Sequence, residues 1–515
     1  MRRAAAASGV APSPQPGGPD PLGSKHLHGS GSAQDRTISA QAEVSIREAE
    51  DVKTGEMRMK ISVLNGSPKG DLSVTMQYVH YVHKKLSQHE FRTHNVAKDI
   101  GRILDSRETL LSLLEDVRAS DGVLWAFPVY KGLVPSQYMR FIERISERDH
   151  PDAFKNKFTA ALSTSARVFD HTAHNYVRAV CDDLDMQYVD YYSADYEDLT
   201  RASERARLIL FAENFFHAIE SRLAPARMYP PLRFSTFTYK PGRVKHKTHP
   251  RGKKIVVLTH RVNPRTNLAK MIRRFQGAVE GGVQVVDLDE LHIQGGCRGC
   301  IQCWYDNQCI YRDGFQSFYN STIVPADILI TAGAVRGRYY SYKLKEFGDR
   351  LFFNHHRPCF RGKQLAEIVS GPFSQLAGIM DITPGSSEFS HANYAGCVSD
   401  ECEDSAVIDA MLDGLAERLV YLSCKHYIRP TTFRGLGIHK VIRDLTWSKL
   451  RAMMPNDHRH YKENQLYDFP YKDVKAIALN VMMTPLTRIP AFRREMTKKM
   501  ASMMVLPYQR IVKNK

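Results

Sequence analysis

Apolar residues along this chain alternate between two rhythms. Short segments at Lys60–Leu64, Phe91–Val96, Gly122–Ala126, Phe158–Leu162 and Met186–Tyr191 read as strands, with continuous apolar stretches such as Gly122–Ala126 fitting burial on both faces. Between them Val74–Leu86, Thr109–Val117, Ser136–Arg144, Asn175–Leu184 and Ala202–Ile219 carry apolar positions at helical spacing. Five strands separated by helices predict a parallel sheet covered on both faces, with right-handed connections. The rhythm then restarts. Lys254–Leu258, Val283–Leu288, Ile328–Thr331 and Leu365–Val369 read as strands, and residues 266–275, Tyr342–Phe353 and Ala406–Tyr421 as helices. The shared order of elements implies an internal duplication.

This pattern divides the chain. Residues 1–56, rich in Ala, Gly, Ser and Pro, are expected to be disordered. The first α/β unit is expected over 57–222, a Pro-rich basic linker over 223–252, and the second unit over 253–425. Residues 426–515 break the rhythm. Their apolar positions Ile438, Val441, Ile442, Leu445, Trp447 and Leu450, and again Met496, Met500, Met503 and Met504, predict helices. The fold class is α/β: two tandem doubly wound parallel sheets and a helical basic C-terminal extension.

Charge sharpens the last boundary. The net charge is +17, yet residues 425–515 alone hold 19 Lys/Arg against 6 Asp/Glu. The basic character therefore belongs to the tail, which either packs on its host or lies on an anionic membrane. No nucleic-acid motif accompanies the charge, so nucleic acid is not an expected partner. No apolar run reaches the length of a membrane-spanning helix. Cys181, Cys359, Cys397, Cys402 and Cys424 are scattered, which fits a reducing compartment. The expected location is cytoplasmic, with peripheral contact at the inner membrane surface as the alternative.

The remaining four cysteines, Cys297, Cys300, Cys303 and Cys309, are spaced C-x2-C-x2-C-x5-C. Thiolates at such intervals suit a cuboidal iron–sulfur cluster, here 4Fe-4S. A zinc site and a thiol group holding no metal are the alternatives. Ligands of an open parallel sheet bind beyond the carboxyl ends of its strands. Three loops of the first unit fall there. In the first, Ser67, Lys69, Ser73 and Thr75 could donate to a phosphate at a helix N-terminus, although Ser73 also reads as an ordinary N-cap. The second, Pro128, Val129, Tyr130, Lys131 and Gly132, could border a flat ring system. The third holds Ser163, Thr164 and Ser165. His355 and His356 read as a loop after a helix, and His171 and His174 as helix residues without a required role.

Together these motifs resemble the flavodoxin-like NADPH-dependent FMN reductase superfamily, in particular its iron–sulfur flavoproteins. The resemblance rests on Gly66-Ser67-Pro68-Lys69 with Ser73 and Thr75, on Pro128-Val129-Tyr130, on Lys345-Glu346-Phe347-Gly348-Asp349-Arg350, on Gly362-Lys363, and on the cysteine run. It covers roughly residues 57–425. Domain one departs from it at Met139–Arg144, and domain two at Gly333–Arg336 and at its phosphate loop, Thr259–Asn267. The resemblance implies FMN in the first unit, a 4Fe-4S cluster on the four cysteines of the second, and NAD(P)H or a ferredoxin-type protein as electron donor. It also implies that the two units pair internally like the subunits of a dimer, with further oligomerisation open, and that Lys69 or Lys131 lies near the flavin's anionic edge. The expected activity is that of a flavin-dependent NAD(P)H oxidoreductase. The alternative is a non-enzymatic electron-transfer or redox-sensing flavoprotein with a membrane- or partner-binding tail.

Overall fold

The computed structural model describes residues 58–146, 151–376, 378–468, 474–496 and 499. The expectation of disorder over 1–56, and Met500, Met503 and Met504 of the tail, lie outside the described residues.

The first unit is one five-stranded parallel sheet. Its strands are β1 (Lys60–Asn65), β2 (Glu90–His94), β3 (Gly122–Pro128), β4 (Phe158–Ser165) and β5 (Gln187–Asp195), in the order β2-β1-β3-β4-β5. All neighbours are parallel. The reversal of strand order beside β1 is the topological switch point at which flavodoxin-like sheets bind their ligands. Helices α1 (Val74–Lys85), α2 (Ile100–Asp105), α3 (Arg107–Arg118), α4 (Ser136–Ser146), α5 (Asp170–Asp183) and α6 (Ala202–Glu220) flank the sheet. One hydrophobic core centres on Trp125, Phe127, Tyr138 and Phe141. The other joins Ile61, Val63, Met76 and Val79 to Leu208 and Phe215 of α6.

The second unit repeats the order. Strands β6 (Ile255–Thr259), β7 (Val283–Asp287), β8 (Ile328–Ala334), β9 (Gln364–Ser370) and β10 (Asn393–Ser399) lie as β10-β9-β8-β6-β7, all parallel. Its helices are α7 (Asn267–Gly277), α8 (Tyr342–Arg350), α9 (Ile379–Phe389) and α10 (Ser405–Cys424). Strand β10 and helix α9 are not apparent in the sequence rhythm. Gly396, at φ +127°, sits at a register shift in β10, and Pro384 lies inside α9.

Residues 223–252 are more than a tether. They form no regular element, yet Tyr239 is fully buried in the second unit's core. The segment climbs past Arg338, whose guanidinium donates to the Pro230 carbonyl at 2.7 Å, and past Gln375. It crosses the start of α7, where Tyr239 N donates to Asn267 Oδ1 at 2.9 Å and Asn267 Nδ2 donates to the Phe237 carbonyl at 2.9 Å. It then descends beside α10, with Lys240 N on Ser405 Oγ and Gly242 N on Asp409.

The extension continues with α11 (Phe433–Trp447), α12 (Pro455–Glu463) and α13 (Val474–Leu486). Glu388 of α9 holds the start of α11 by accepting from Thr432 N and Gly435 N. Buried Asp457 of α12 accepts from Asn307 Nδ2 at 3.1 Å, joining the extension to the cysteine segment. Among the described residues no helix is long and apolar enough to cross a membrane.

Candidate functional site

Three loops meet at the carboxyl end of the first sheet. The first begins where β1 stops. Gly66 packs so closely that a Cβ there would lie 2.5 Å from the Tyr138 ring, and its amide donates to the Ala126 carbonyl at 2.7 Å. The Asn65 side chain accepts from Ser67 N at 3.0 Å and fixes the turn. Ser73 is the N-cap of α1, its Oγ accepting from Met76 N at 3.2 Å. Capping uses only an acceptor lone pair, so the Ser73 O–H can still donate. The first-turn amides of α1 have no intrahelical partner. Ser67 and Thr75 are buried, and Lys69 is exposed.

Thr75 Oγ1 lies 2.6 Å from Thr164 Oγ1, tying the first loop to the third. Beside it Ser163 Oγ meets His174 Nε2 at 2.8 Å. Burial pulls the His174 pKa down to about 4, so the ring is neutral near pH 7. Ser165 Oγ accepts from Arg167 N and closes a small turn.

The second loop is a tight reversal. Tyr130 N donates to the Leu133 carbonyl at 2.7 Å and Leu133 N donates back at 3.1 Å, with Lys131 and Gly132 both in the left-handed region. Val129 N donates to the Thr164 carbonyl at 3.1 Å, so this loop also joins the third.

The second unit holds that loop from outside. Lys345 Nζ donates to the Tyr130 carbonyl at 2.9 Å and pairs with Asp349. Asp349 in turn accepts from Ser136 N, at the start of α4, at 2.8 Å. In the other direction Glu143 of α4 accepts from Tyr342 N at 2.5 Å, and Arg140 stacks over the Tyr342 ring. Lys345 and Asp349 of the α8 motif thus act on the first unit's loop. Lys131 reaches across as well. Its Nζ meets His355 Nδ1 at 2.7 Å, and burial lowers its pKa to about 7. Lys131 thus bridges the first unit's second loop to His355 of the second unit.

The cysteine segment is seated on the same loops. Gly299 has φ +61°, and a Cβ there would overlap Tyr130 Oη and approach Lys69. A Cβ at Gly296 would overlap Ser136 Oγ, and Gln137 Nε2 donates to the Cys297 carbonyl at 3.2 Å. From behind, Arg350 donates to the Gly295 carbonyl and forms a two-point pair with Asp313 at 2.7 and 2.9 Å. Sequence spacing alone does not reveal that this segment and the first unit's loops share one cleft.

Cys297, Cys300, Cys303 and Cys309 are free thiols. Burial pushes the Cys297 and Cys303 thiols up to about 12. Among the described residues no three His, Cys, Asp or Glu side chains are arranged to hold a metal ion. The four sulfurs share a loop but do not form a ready-made cluster site.

The corresponding cleft of the second unit is closed by its own residues. Arg261 N donates to Asp287 at 2.9 Å, and the Arg261 side chain pairs with Asp289. His260 lies between Ser341 and Asp289. Thr266 caps α7, and the linker strap crosses the same helix start. Of the donors expected of the loop Thr259–Asn267, Arg261 is engaged by Asp287 and Asp289, and Thr266 by the Asn263 carbonyl and the cap of α7.

The NADPH-dependent FMN reductase family matches residues 59–197, from just before β1 to just after β5. No curated protein matches. Similar solved structures include an NADH:FMN oxidoreductase (EMOB) in its apo form, 19% identical, with TM-score 0.27, covering 31% of this chain and 89% of the other. A second is FerB, a flavoenzyme NAD(P)H:(acceptor) oxidoreductase from Paracoccus denitrificans, 20% identical, with TM-score 0.26 and coverages of 32% and 98%. A third is an FMN-dependent NADH-azoreductase from Bacillus anthracis in complex with FMN, 13% identical, with TM-score 0.24 and coverages of 32% and 100%. Residues 59–197 are thus an FMN reductase-like oxidoreductase domain, similar to the NADPH-dependent FMN reductases.

Proposed function

We propose that the chain is an NAD(P)H-dependent flavin oxidoreductase that binds one FMN, in the first unit, with the second unit as the outer wall of the site. The observation that carries this reading is the convergence of the three loops at the switch point of the one sheet that the FMN reductase family matches. The donor set suits a phosphate: the Ser67, Ser73 and Thr75 hydroxyls, the first-turn amides of α1, and Lys69 at the rim. Pro128–Gly132 and Ser163–Ser165 would border the ring. Bound FMN would supply two-electron chemistry with a reduced nicotinamide. The chain's part is to orient and to exclude water. Lys345 and Asp349 fix the Tyr130 carbonyl and the Ser136 amide, and the cysteine segment covers the rim at Tyr130 and Lys69. In this reading the two units pair as the subunits of a dimer would.

FMN titration of the full chain, followed by NADH and NADPH oxidation assays, tests the proposal. One FMN per chain with flavin-dependent NAD(P)H turnover is the expected result. Flavin binding without turnover, together with reduction by a ferredoxin, would select the electron carrier instead. No flavin binding would remove both.

A 4Fe-4S cluster on the four cysteines stands apart from this. Their spacing supports it, their placement does not, and no electron step is assigned to it. Anaerobic reconstitution with iron and sulfide decides the matter: four irons per chain would mean that the loop rearranges around a cluster.

A further inference from the structure

We infer that the C-terminal extension is a docking face for anionic membrane surfaces, with α13 as its inserting element. This does not rest on the flavin reading. The first observation is α13 itself. Val474, Leu479, Val481, Met482 and Leu486, and Ile489 just beyond, are all exposed, Val474 and Val481 at 71% each. By helical spacing these residues fall within one half of the helix circumference, an apolar face that the described residues leave exposed. An exposed apolar face of this kind suits the boundary between water and an apolar medium. At 13 residues it is roughly 20 Å long, too short to cross a bilayer but long enough to lie within its interface.

The second observation is on a different helix. Phe433, Leu436, Lys440 and Trp447 fall on one side of α11 by their spacing. Phe433 is 88% exposed, while Ile438, on the opposite side, is buried. Lys440 stands among the apolar residues of this outer stripe, and the Arg451 guanidinium lies 5.5 Å from the Trp447 ring centre. Aromatic residues beside long cationic side chains are the composition of an interfacial surface.

Charge selects the partner. Between Lys472 and Lys499 the sequence holds seven Lys/Arg (Lys472, Lys475, Arg488, Arg493, Arg494, Lys498 and Lys499) against Asp473 and Glu495. The apolar helix is therefore flanked by cations at both ends. Two copies of so basic a segment repel one another, whereas an anionic leaflet attracts each Lys and Arg.

The test is flotation of the full chain with vesicles of phosphatidylcholine alone, or with roughly a third phosphatidylglycerol. The expected result is binding to the anionic vesicles only, weakened by raising salt to about 0.5 M. Val481→Asp with Met482→Asp should lower the bound fraction at least about tenfold with an unchanged thermal melt, since both side chains face solvent. Arg488→Gln with Arg493→Gln and Arg494→Gln tests the charge independently and should lower binding by about the same factor. Absence of binding to anionic vesicles overturns the inference, as does binding that none of these substitutions changes. A concentration-dependent dimer in lipid-free sedimentation, abolished by Val481→Asp with Met482→Asp, would assign the face to a second copy and equally overturn it.

Discussion

The two sheets share a strand order and differ in what their loops do. In the first unit the loop after the leading strand ends in a helix start whose hydroxyls and amides remain able to donate. In the second, the same position is filled by Arg261, Asp287 and Asp289 and crossed by the segment around Tyr239. A nucleotide site is therefore a property of loop chemistry and not of sheet topology. The second unit has instead directed its side chains outward: Lys345, Asp349, His355 and Gly299 all act on the first unit.

The contrast can be broken most strongly at the shared boundary. Asp349→Ala leaves Lys345 buried without its counter-charge, and we expect a loss of about 3–5 kcal/mol in urea unfolding. FMN affinity should fall with it, because the Tyr130 loop and the Ser136 amide lose their anchor. A variant of wild-type stability and FMN affinity would show that the second unit has no part in the site.

A pH series separates the units next. His174 has its pKa lowered to about 4 against an ordinary 6.5, so the unfolded chain binds its proton first as pH falls. Its contribution is intact above pH 6.5 and is lost between 6.5 and 4, amounting to on the order of 3 kcal/mol. His174→Gln should flatten this part of the stability–pH profile. An unchanged slope would locate acid sensitivity in another group.

Flavin affinity sharpens the comparison further. Ser67→Ala with Thr75→Ala should weaken FMN binding by at least about tenfold, roughly 1.4 kcal/mol, in a fluorescence titration. Thr266→Ala in the second unit should leave FMN affinity unchanged and cost only the roughly 1 kcal/mol of an N-cap. If Thr266→Ala were the substitution that weakened FMN, the assignment of the site would be reversed. The smallest expected effect is Ser73→Ala, about 1 kcal/mol of stability from its own cap, read in the same urea experiment.

Much of the fold was legible because buried parallel strands are unbroken apolar runs. Nine of the ten strands follow from the alternation of strand-like and helix-like segments, although the edge strand Glu90–His94 is mostly polar and only partly buried. The tenth, Asn393–Ser399, escaped because a register shift at Gly396 interrupts its alternation, and α9 because Pro384 sits inside it. The strap escaped for another reason. Its prolines predict a linker, whereas the burial of Tyr239 depends on Asn267 and Asp409, which are remote in sequence. The same holds at the site. The Lys345–Arg350 and cysteine motifs are visible one at a time, whereas their meeting with Tyr130 and Ser136 is a tertiary fact.

Gly299 carries one more consequence. Its missing side chain makes room for the Tyr130 hydroxyl of the other half, in a left-handed turn that other residues adopt at a cost. In a two-fold symmetric dimer each substitution is repeated at both interfaces, so a residue cannot be tuned for one role only. Joined in one chain, the halves meet at a fixed effective concentration whatever the dilution, and each side of the contact mutates alone. One half could then give up its own nucleotide cleft while its glycine stayed matched to its neighbour's tyrosine. Covalent linkage of this kind turns a symmetric pair into a division of labour.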